Sequence, residues 1–589
     1  MISFLPITVE EVKRLNWDYV DVVLITPDAY VDHPGFSMAI IGRVIESYGY
    51  RVAILSQPDY KDIKEFKKFG KPRLCFAISG GNMDSMINKY THNKKRRSED
   101  DYSPGGKPSK RPDRTTIVYS NTAKMAYNDV PIIIGGIEAT MRRFVHYDFW
   151  SDTIKKPILL DSKADLLVYG MAEKSIIEIL QRLKNGEDIR KIRDIRGTVF
   201  KLGEKEIANY LNQQDIIVLP SFEEIIKDKD NFLKMTKIVY ENLNPYLAKT
   251  LIQISDTRAI VSNPPQLPLT TEEIDRIYDL PFTYKPHPYY KEKIPAYETV
   301  KNSIVIHRGC FGGCSFCSLA FHQGKFIQSR SENSIIKEIE KRSKNKKITI
   351  TDLGGPSANM YKISAKDFEI CKKCSKTSCL HPKICNNLNL DFKPLLDLMR
   401  KVKHHKNVKK VFIASGIRMD LALKCPEYIK EIAYYHTSGQ LKVAPEHTQK
   451  NILDLMKKPN IEAFIEFKKN FNEFSRHANK EQYLVTYFIS AFPGTTLNDA
   501  IDMAIFLKKN NIKPLQINDF LPAPGEYATA MYLCQKDLQT GKKIYVPQKE
   551  SERKLHRALL QYFKKENIPL IIKALKVTNR TNLIKFFLH

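Results

Sequence analysis

Ten cysteines occur in this 589-residue chain, and their placement is the first chemical clue. Cys310, Cys314 and Cys317 stand in RGCFGGCSFCSLAF with the spacing Cys-x3-Cys-x2-Cys. Thiolates spaced in this way can each take one iron of a cubane and leave the fourth iron open. An open metal position is what a substrate-binding centre requires. Gly309, Gly312 and Gly313 let the loop wrap closely, and Phe316 supplies a ring able to pack on an adenine. The competing readings are a structural zinc loop completed by His307 or His322, and a chance grouping.

A second set follows as Cys371-x2-Cys374-x4-Cys379-x5-Cys385. Four thiols can close a tetrahedral zinc site or hold an auxiliary iron–sulfur cluster. A zinc staple across a long loop leads here, an auxiliary cluster comes second and a metal-free loop third. His381 and residues 386–389 are the nearest candidates for a supporting shell. Cys75, Cys425 and Cys534 stand alone and read as small buried apolar residues.

The remaining composition bounds the class. With 42% hydrophobic and 27% charged residues the chain reads as globular. Its length predicts more than one domain. No apolar run reaches the ~20 residues of a membrane span, and the first residues show no signal peptide. A cytoplasmic location is expected, where clustered cysteines serve as thiols or metal ligands. The net charge of +28 could mark a nucleic-acid partner. However, the lysines are scattered and accompanied by many Ile and Asn, a bias that AT-rich coding produces, so nucleic acid is not the favoured partner.

The elements that must position these residues come in two series. Over the first ~220 residues short apolar runs alternate with helical patterns, which predicts a parallel α/β unit. Its strands fall near 20–25, 52–55, 74–77, 131–134, 166–169 and 216–219, with a helix over 35–48. The strand at 131–134 ends in Gly-Gly, a turn that admits close approach. Residues 93–114 are highly charged, and composition alone favours a mobile surface loop. A helical pattern over 222–243 and a proline-rich stretch form a connector. From residue 302 six further strand–helix units predict a partial TIM-type barrel, with strands near 303–307, 347–351, 410–414, 440–443, 483–489 and 515–519. One more helix is expected at 551–564, and a basic, poorly ordered tail at 576–589.

The cysteine loop, placed after the first strand of the second series, resembles the radical S-adenosylmethionine (SAM) superfamily. That resemblance implies a [4Fe–4S] cluster on Cys310, Cys314 and Cys317, reductive cleavage of SAM to a 5′-deoxyadenosyl radical, and an electron donor such as flavodoxin or ferredoxin. It also implies SAM contacts at successive strand ends. Gly354 and Gly355 match the glycine-rich motif, although Pro356 stands where many members have Glu. Ser415 and Arg418 would meet ribose and carboxylate, and Glu446 ribose or substrate. Ordinary turn chemistry is the bland alternative for each of these. The chain is more closely similar to the YgiQ family, radical SAM proteins of unassigned substrate, through the stretches IIIGGIEATMRR, HRGCFGGCSFC, AFPGTT and LPAPGEYATAMY and the charged loop itself. On that likeness the charged loop acquires a role over the active site.

The expected fold class is α/β, a Rossmann-like (cobalamin-binding-like) parallel-sheet domain followed by a radical SAM (β/α)6 partial TIM barrel. The division expected is an N-terminal domain at 1–221, a helical and proline-rich connector at 222–300, the barrel at 301–526 with its Cys-rich loop at 371–385, and a helical extension at 527–589 with a partly disordered tail. Cobalamin ligation by histidine needs Asp-x-His-x-x-Gly, and Asp32-His33-Pro34-Gly35 has the wrong spacing, so no His-ligated cobalamin is expected. The function expected is radical SAM chemistry on an unknown substrate. A tRNA- or RNA-modifying radical SAM enzyme is the nearest alternative, and a basic nucleic-acid-binding protein with structural metal is the alternative from another class.

Overall fold

The structure is a computed structural model that describes residues 4–108, 110–211, 215–344 and 346–588. Short β-branched runs build its first sheet. β1 (Val22–Thr26), β2 (Val52–Ser56), β3 (Cys75–Ser79), β4 (Ile132–Gly135) and β5 (Leu166–Val168) are parallel and lie in the order β2-β1-β3-β4-β5. Their residues alternate between two separate cores, as side chains of a sheet covered on both faces must. Val23, Phe76 and Ile134 join Tyr119 and Ala123 of α2 (Thr115–Ala126) on one face. Leu24, Ala77 and Ile133 join Ile40 and Val44 of α1 (Ser37–Ser47) on the other. α1 lies so close that a Cβ on Gly42 would sit 2.5 Å from Leu5 Cδ1.

Four more strands widen this sheet, and they revise the expected connector. β6 (Thr198–Leu202), β7 (Ile216–Val218), β8 (Thr250–Ser255) and β9 (Arg258–Ser262) extend it in the order β7-β8-β9-β6-β5. The hairpin β8–β9 falls inside residues 222–300, which were expected to be helical or irregular. Its turn is tight, with Asp256 at φ 54°, as primed hairpin turns require. No glycine advertises that turn. The helical stretch is present as Phe222–Lys227 and Asp230–Glu241, broken at Asp228.

The charged loop also departs from expectation. It is not a free surface segment but a strap across the carboxyl ends of β1 and β3. Arg111, 3% exposed, donates to Asp28 Oδ1 (2.6 Å), Asp100 Oδ2 (3.2 Å) and the Gly80 carbonyl (3.1 Å). Arg114 pairs with Asp148, and Lys89 with Asp113. Composition counts these charges as solvated, whereas the fold pairs and buries several of them.

The second series forms the expected barrel wall. β10 (Ser303–Val305) pairs in parallel with β12 (Asp352–Gly354), and β11 (Ile348–Ile350) with β13 (Val408–Val411). β14 (Gln440–Glu446), β15 (Tyr483–Ser490) and β16 (Ile517–Asp519) continue in parallel, and an Ile417–Val443 bridge joins the two runs. Helices such as Glu332–Ser343 and Lys393–His404 cover the outside. The end of the chain is more regular than expected. Helices Ile568–Val577 and Ile584–Leu588 follow Glu550–Leu560, Phe587 is buried, and Lys508 donates to the Phe586 carbonyl. Aromatic anchors outweigh the basic character of this tail. Among the described residues no helix is long and apolar enough to cross a membrane.

The strap gives a direct test. Arg111→Met leaves two buried carboxylates without their cation and is expected to cost about 3–5 kcal/mol in urea denaturation. Lys107→Met, which breaks an exposed pair with Glu292, should cost less than about 1 kcal/mol.

Candidate active site

The residues leading into the cysteine loop are fixed by the N-terminal domain. Arg308, two positions before Cys310, is 3% exposed and forms an ion pair with Glu173 at the start of α3 (Glu173–Lys184). Its Nε donates to Tyr278 Oη at 3.3 Å. The chain then turns at Gly309, with φ 85°, where a Cβ would lie 2.1 Å from the Phe326 carbonyl oxygen. Gly313, with φ 63°, is equally confined, since a Cβ there would lie 2.2 Å from the Thr377 carbonyl oxygen. Only glycine fits either position.

That second contact places the four-cysteine loop directly against the three-cysteine loop. Ser378 Oγ donates to the Gly312 carbonyl at 2.7 Å, and the Cys379 N–H donates to the Phe311 carbonyl at 3.0 Å. From the other side, Asn244 Nδ2 donates to the carbonyls of Cys371, Lys372 and Cys374 at 2.9, 3.1 and 3.0 Å. Lys325 Nζ adds a bond to the Cys374 carbonyl at 2.9 Å.

Cys310, Cys314 and Cys317 are half-buried and close enough that Cys310 and Cys317 each feel the charge of Cys314. Burial pushes the Cys310 and Cys317 thiols up, and the nearby Cys314 pushes them further. Donors are in place to favour the thiolates. The Gly312 N–H approaches Cys310 Sγ at 3.4 Å, and Arg418 Nη1 approaches Cys314 Sγ at 3.5 Å. Lys457, whose ammonium burial pulls down to about 8, is held from falling further by Cys314. Its Nζ donates to Thr377 Oγ1 at 2.8 Å and lies 3.8 Å from the centre of the Tyr527 ring.

This donor set fits an iron–sulfur cluster, whose ligand thiolates are stabilised by N–H groups and cations directed at sulfur. Among the described residues no three His, Cys, Asp or Glu side chains converge as the ligands of one ion would. A cubane asks for no such convergence, because each thiolate sits on its own iron. In the second loop the Cys379 thiol is pushed up to about 12 by burial, against the lowering effect of Lys325 and with added repulsion from Cys385, Cys371 and Cys374. Those four thiols therefore share one neighbourhood.

The five strand-end residues separate into two groups. Gly354, Gly355 and Ser415 line a cavity of about 550 Å³ between the barrel and the N-terminal sheet. Arg418 and Glu446 lie outside that lining. Arg418 faces Cys314 and commits Nε and Nη2 to Asp420 at 3.0 and 2.7 Å. Glu446 is buried with its carboxyl raised by desolvation, opposed by Lys458 and Arg418. Phe316 meets Phe492 edge to face at 6.1 Å.

Two organising residues, Asp352 and Asn359, escaped the sequence reading. Asp352 accepts from the N–H groups of Ala414 and Ser415 at 2.7 and 3.0 Å and from the Ser415 hydroxyl. Asn359 brackets the Arg418 backbone, accepting from its N–H at 2.9 Å and donating to its carbonyl at 2.8 Å. His307 packs on Gly355 so closely that a Cβ there would lie 2.6 Å from its ring. His307 and His322 do not join the thiols. His322 Nδ1 meets Thr140 Oγ1 at 3.2 Å, and His381 meets Asp454 at 3.4 Å. Asp352 two residues before Gly354 was the one available signal, and a carboxylate at a strand end also suits an ordinary turn.

Family models match three successive stretches. They are Radical SAM N-terminal over residues 4–303, Radical SAM superfamily over 304–507, and a domain of unknown function over 515–587. The protein is a radical SAM enzyme of unassigned substrate. Within that superfamily it belongs to the UPF0313 family, the YgiQ family of the sequence resemblance. The UPF0313 protein of Methanocella arvoryzae is 48% identical over 98% of this chain and 96% of its own length. The relative from Rhodopseudomonas palustris is 46% identical over 99% and 90%, and that from Pseudomonas aeruginosa 43% identical over 99% and 86%. Among solved structures, the radical SAM methyltransferase TsrM from Kitasatospora setae, with tryptophan substrate and a SAM analogue bound, superposes with a TM-score of 0.46 at 13% identity. That match covers 86% of this chain and 74% of TsrM. A second TsrM structure, with cobalamin and a [4Fe–4S] cluster bound, gives 0.48 at 13% identity over 86% and 76%.

The buried imidazoles set a pH dependence. Burial lowers His307 to about 3 and His322 to about 4, against 6.5 for a free imidazole. Below that value the unfolded chain binds more protons than the folded one. Stability is therefore full above pH 6.5 and falls by up to about 1.4 kcal/mol per pH unit for each such histidine as the pH drops towards the folded values. Denaturation midpoints at pH 7 and pH 5 should show the loss, and His322→Gln should reduce it by one histidine's share.

Proposed function

We propose that Cys310, Cys314 and Cys317 each ligate one iron of a [4Fe–4S] cluster, and that SAM binds beside it against Gly354, Gly355, Ser415, Arg418 and Glu446. The observation that carries this reading is the group of three neighbouring thiols, with Arg418 Nη1 directed at Cys314 Sγ and Lys457 close enough for Cys314 to favour its charged form. When bound, the cluster supplies an electron that splits SAM into methionine and a 5′-deoxyadenosyl radical, which takes a hydrogen atom from the substrate.

The chain's own residues supply position and charge. Arg418 is held rigid by Asp420 and Asn359, so its remaining Nη1 edge can offset negative charge at Cys314 and meet a carboxylate. Gly354 leaves room for Ser415, since a Cβ there would lie 2.4 Å from Ser415 Oγ. The Ser415 hydroxyl donates to Asp352 and keeps its lone pairs to accept from a ribose hydroxyl. Thr377 and Ser378 pack on Gly312 and Gly313 and so hold the loop between Cys310 and Cys314 in place.

The four thiols of the second set share one neighbourhood but no three of them converge as zinc ligands would, so their placement does not carry the zinc staple of the sequence reading, and metal analysis separates it from an auxiliary cluster. His-ligated cobalamin is not part of this reading. The His33 ring packs against Phe36, Tyr284 and Tyr297, and its Nδ1 accepts from the Gly35 N–H at 3.0 Å. The free thiols suit the cytoplasm, where a flavodoxin or ferredoxin is the electron donor proposed.

The test is anaerobic reconstitution with iron, sulfide, SAM and dithionite. The wild-type protein should show broad visible absorbance and release 5′-deoxyadenosine, and Cys314→Ala should do neither. Arg418→Ala should keep the absorbance while SAM affinity falls about tenfold, the loss of one charge-assisted contact. Release of 5′-deoxyadenosine by Cys317→Ala at the wild-type rate would overturn the ligand assignment.

A further inference from the structure

The cavity of about 550 Å³ is larger than the SAM-contact motifs account for. Its far wall is the carboxyl edge of the N-terminal sheet, whose parallel strands run in the order β2-β1-β3-β4-β5. In such a sheet the connections after β1 and β3 leave in opposite directions. The crevice between them is where doubly wound sheets bind ligands. Gly35 and Ser37 from the first connection and Gly81 and Asn82 from the second all line the cavity.

Three adjacent strands end there in glycine. Gly81 (φ 104°) follows β3, Gly135 and Gly136 (φ 80°) end β4, and Gly170 (φ 73°) follows β5. All four line the cavity with backbone, while the space a Cβ would take at Gly81, Gly135 and Gly136 is filled by Arg111 and Asp28, the Val168 carbonyl and Ser79. Ile41 of α1, Ile137 beyond β4 and Leu319 beyond the cysteine loop provide apolar walls.

This cavity carries no net positive charge, despite the strongly basic chain. Its acidic and basic side chains are Glu173, Arg308, Asp352, His307 and His322. Glu173 and Arg308 pair with each other. Asp352 accepts three hydrogen bonds, and burial keeps both histidines neutral. Among the described residues that line it no free cation awaits a phosphate, and binding a polyanion here would gain nothing to offset its desolvation.

We propose that this cavity binds the substrate, and that the substrate is a small, neutral, flat molecule, a conjugated ring system with polar groups at its edge, rather than a residue of RNA. This proposal rests on the radical SAM reading, because the SAM-contact residues Gly354, Gly355 and Ser415 form the opposite wall and place the ring edge beside SAM.

Nile red, a neutral flat heteroaromatic dye, is the probe. The purified full-length protein should bind one equivalent with enhanced fluorescence. Ile41→Trp and Ile137→Trp, which fill the cavity from its half-buried walls, should each weaken binding about tenfold. Ile137→Ala should retain binding, and far-ultraviolet circular dichroism should show all three variants folded. Cys314→Ala should bind the dye as the wild type does, so failure of the cluster assignment leaves this test readable. In the reconstituted enzyme, a dialysable cell extract should raise 5′-deoxyadenosine release in the wild type and not in Ile137→Trp. Dye binding unchanged by both tryptophan substitutions would overturn the proposal. So would stimulation by total RNA but not by the dialysable fraction, or a tightly held cofactor occupying the cavity in the purified protein.

Discussion

The Arg308–Glu173 ion pair is the constraint on which the rest of the site depends. Arg308 is an always-charged residue with 3% exposure, and it tolerates that position only because Glu173 and the Tyr278 ring meet it there. Glu173 begins a helix of the N-terminal domain, and Arg308 leads into the first cysteine. The pair therefore fixes how far the carboxyl edge of one sheet stands from the first strand of the barrel. Further contacts lock the same registry. Arg143 lies 4.2 Å over the Phe321 ring, and a Cβ on Gly525 would meet the Met141 carbonyl oxygen at 2.6 Å. The cavity between the domains is what this registry leaves open.

A second consequence concerns charge. The chain carries +28, yet its basic residues act at the site only in a few fixed places. Arg418, Lys457 and Lys458 stand near Cys310, Cys314 and Glu446. Each is buried, so its field is screened little by salt. The side of the site towards the thiols is thus cationic, and the cavity side holds one cancelled ion pair and the hydrogen-bonded Asp352 carboxylate. A centre that must hold several thiolates needs the first, and a site that must desolvate a hydrocarbon ring needs the second. The two environments meet along Gly354, Gly355 and Ser415.

How much of this was legible from the sequence depends on whether the signal was local. The run Ile132–Gly135 announces a buried strand by its β-branched residues and its end by glycine. The cysteine spacings announce metal chemistry in the same way, and six strand–helix units in a row announce a barrel. The hairpin β8–β9 was missed because its turn, at Asp256 and Thr257, uses no glycine. The strap was misread because composition cannot distinguish a solvated arginine from Arg111, which reaches Asp28 across 83 positions. Asn244 clasps the second cysteine loop from 127 to 130 positions away, and no window of sequence contains both partners. Local chemistry was readable, whereas partnerships made only by folding were not.

Glu446 shows how the two kinds of information combine. The sequence marks it only as an acid after a strand. The structure puts it in the left-handed region at φ 71°, next to a register shift where β14 pairs with β15. For a non-glycine residue that conformation costs of order 1 kcal/mol. Its carboxyl is also buried, with Lys458 and Arg418 as the nearby opposing charges. A relaxed strand would carry the side chain on past the barrel mouth, as successive residues alternate in direction. The bulge instead re-aims it, a recurrent use of bulges beside active sites. Backbone strain and carboxyl burial both oppose folding at this one residue. The cations around the thiols provide the compensation, which ties the strained strand end to the same charge arrangement that the cysteine nest requires.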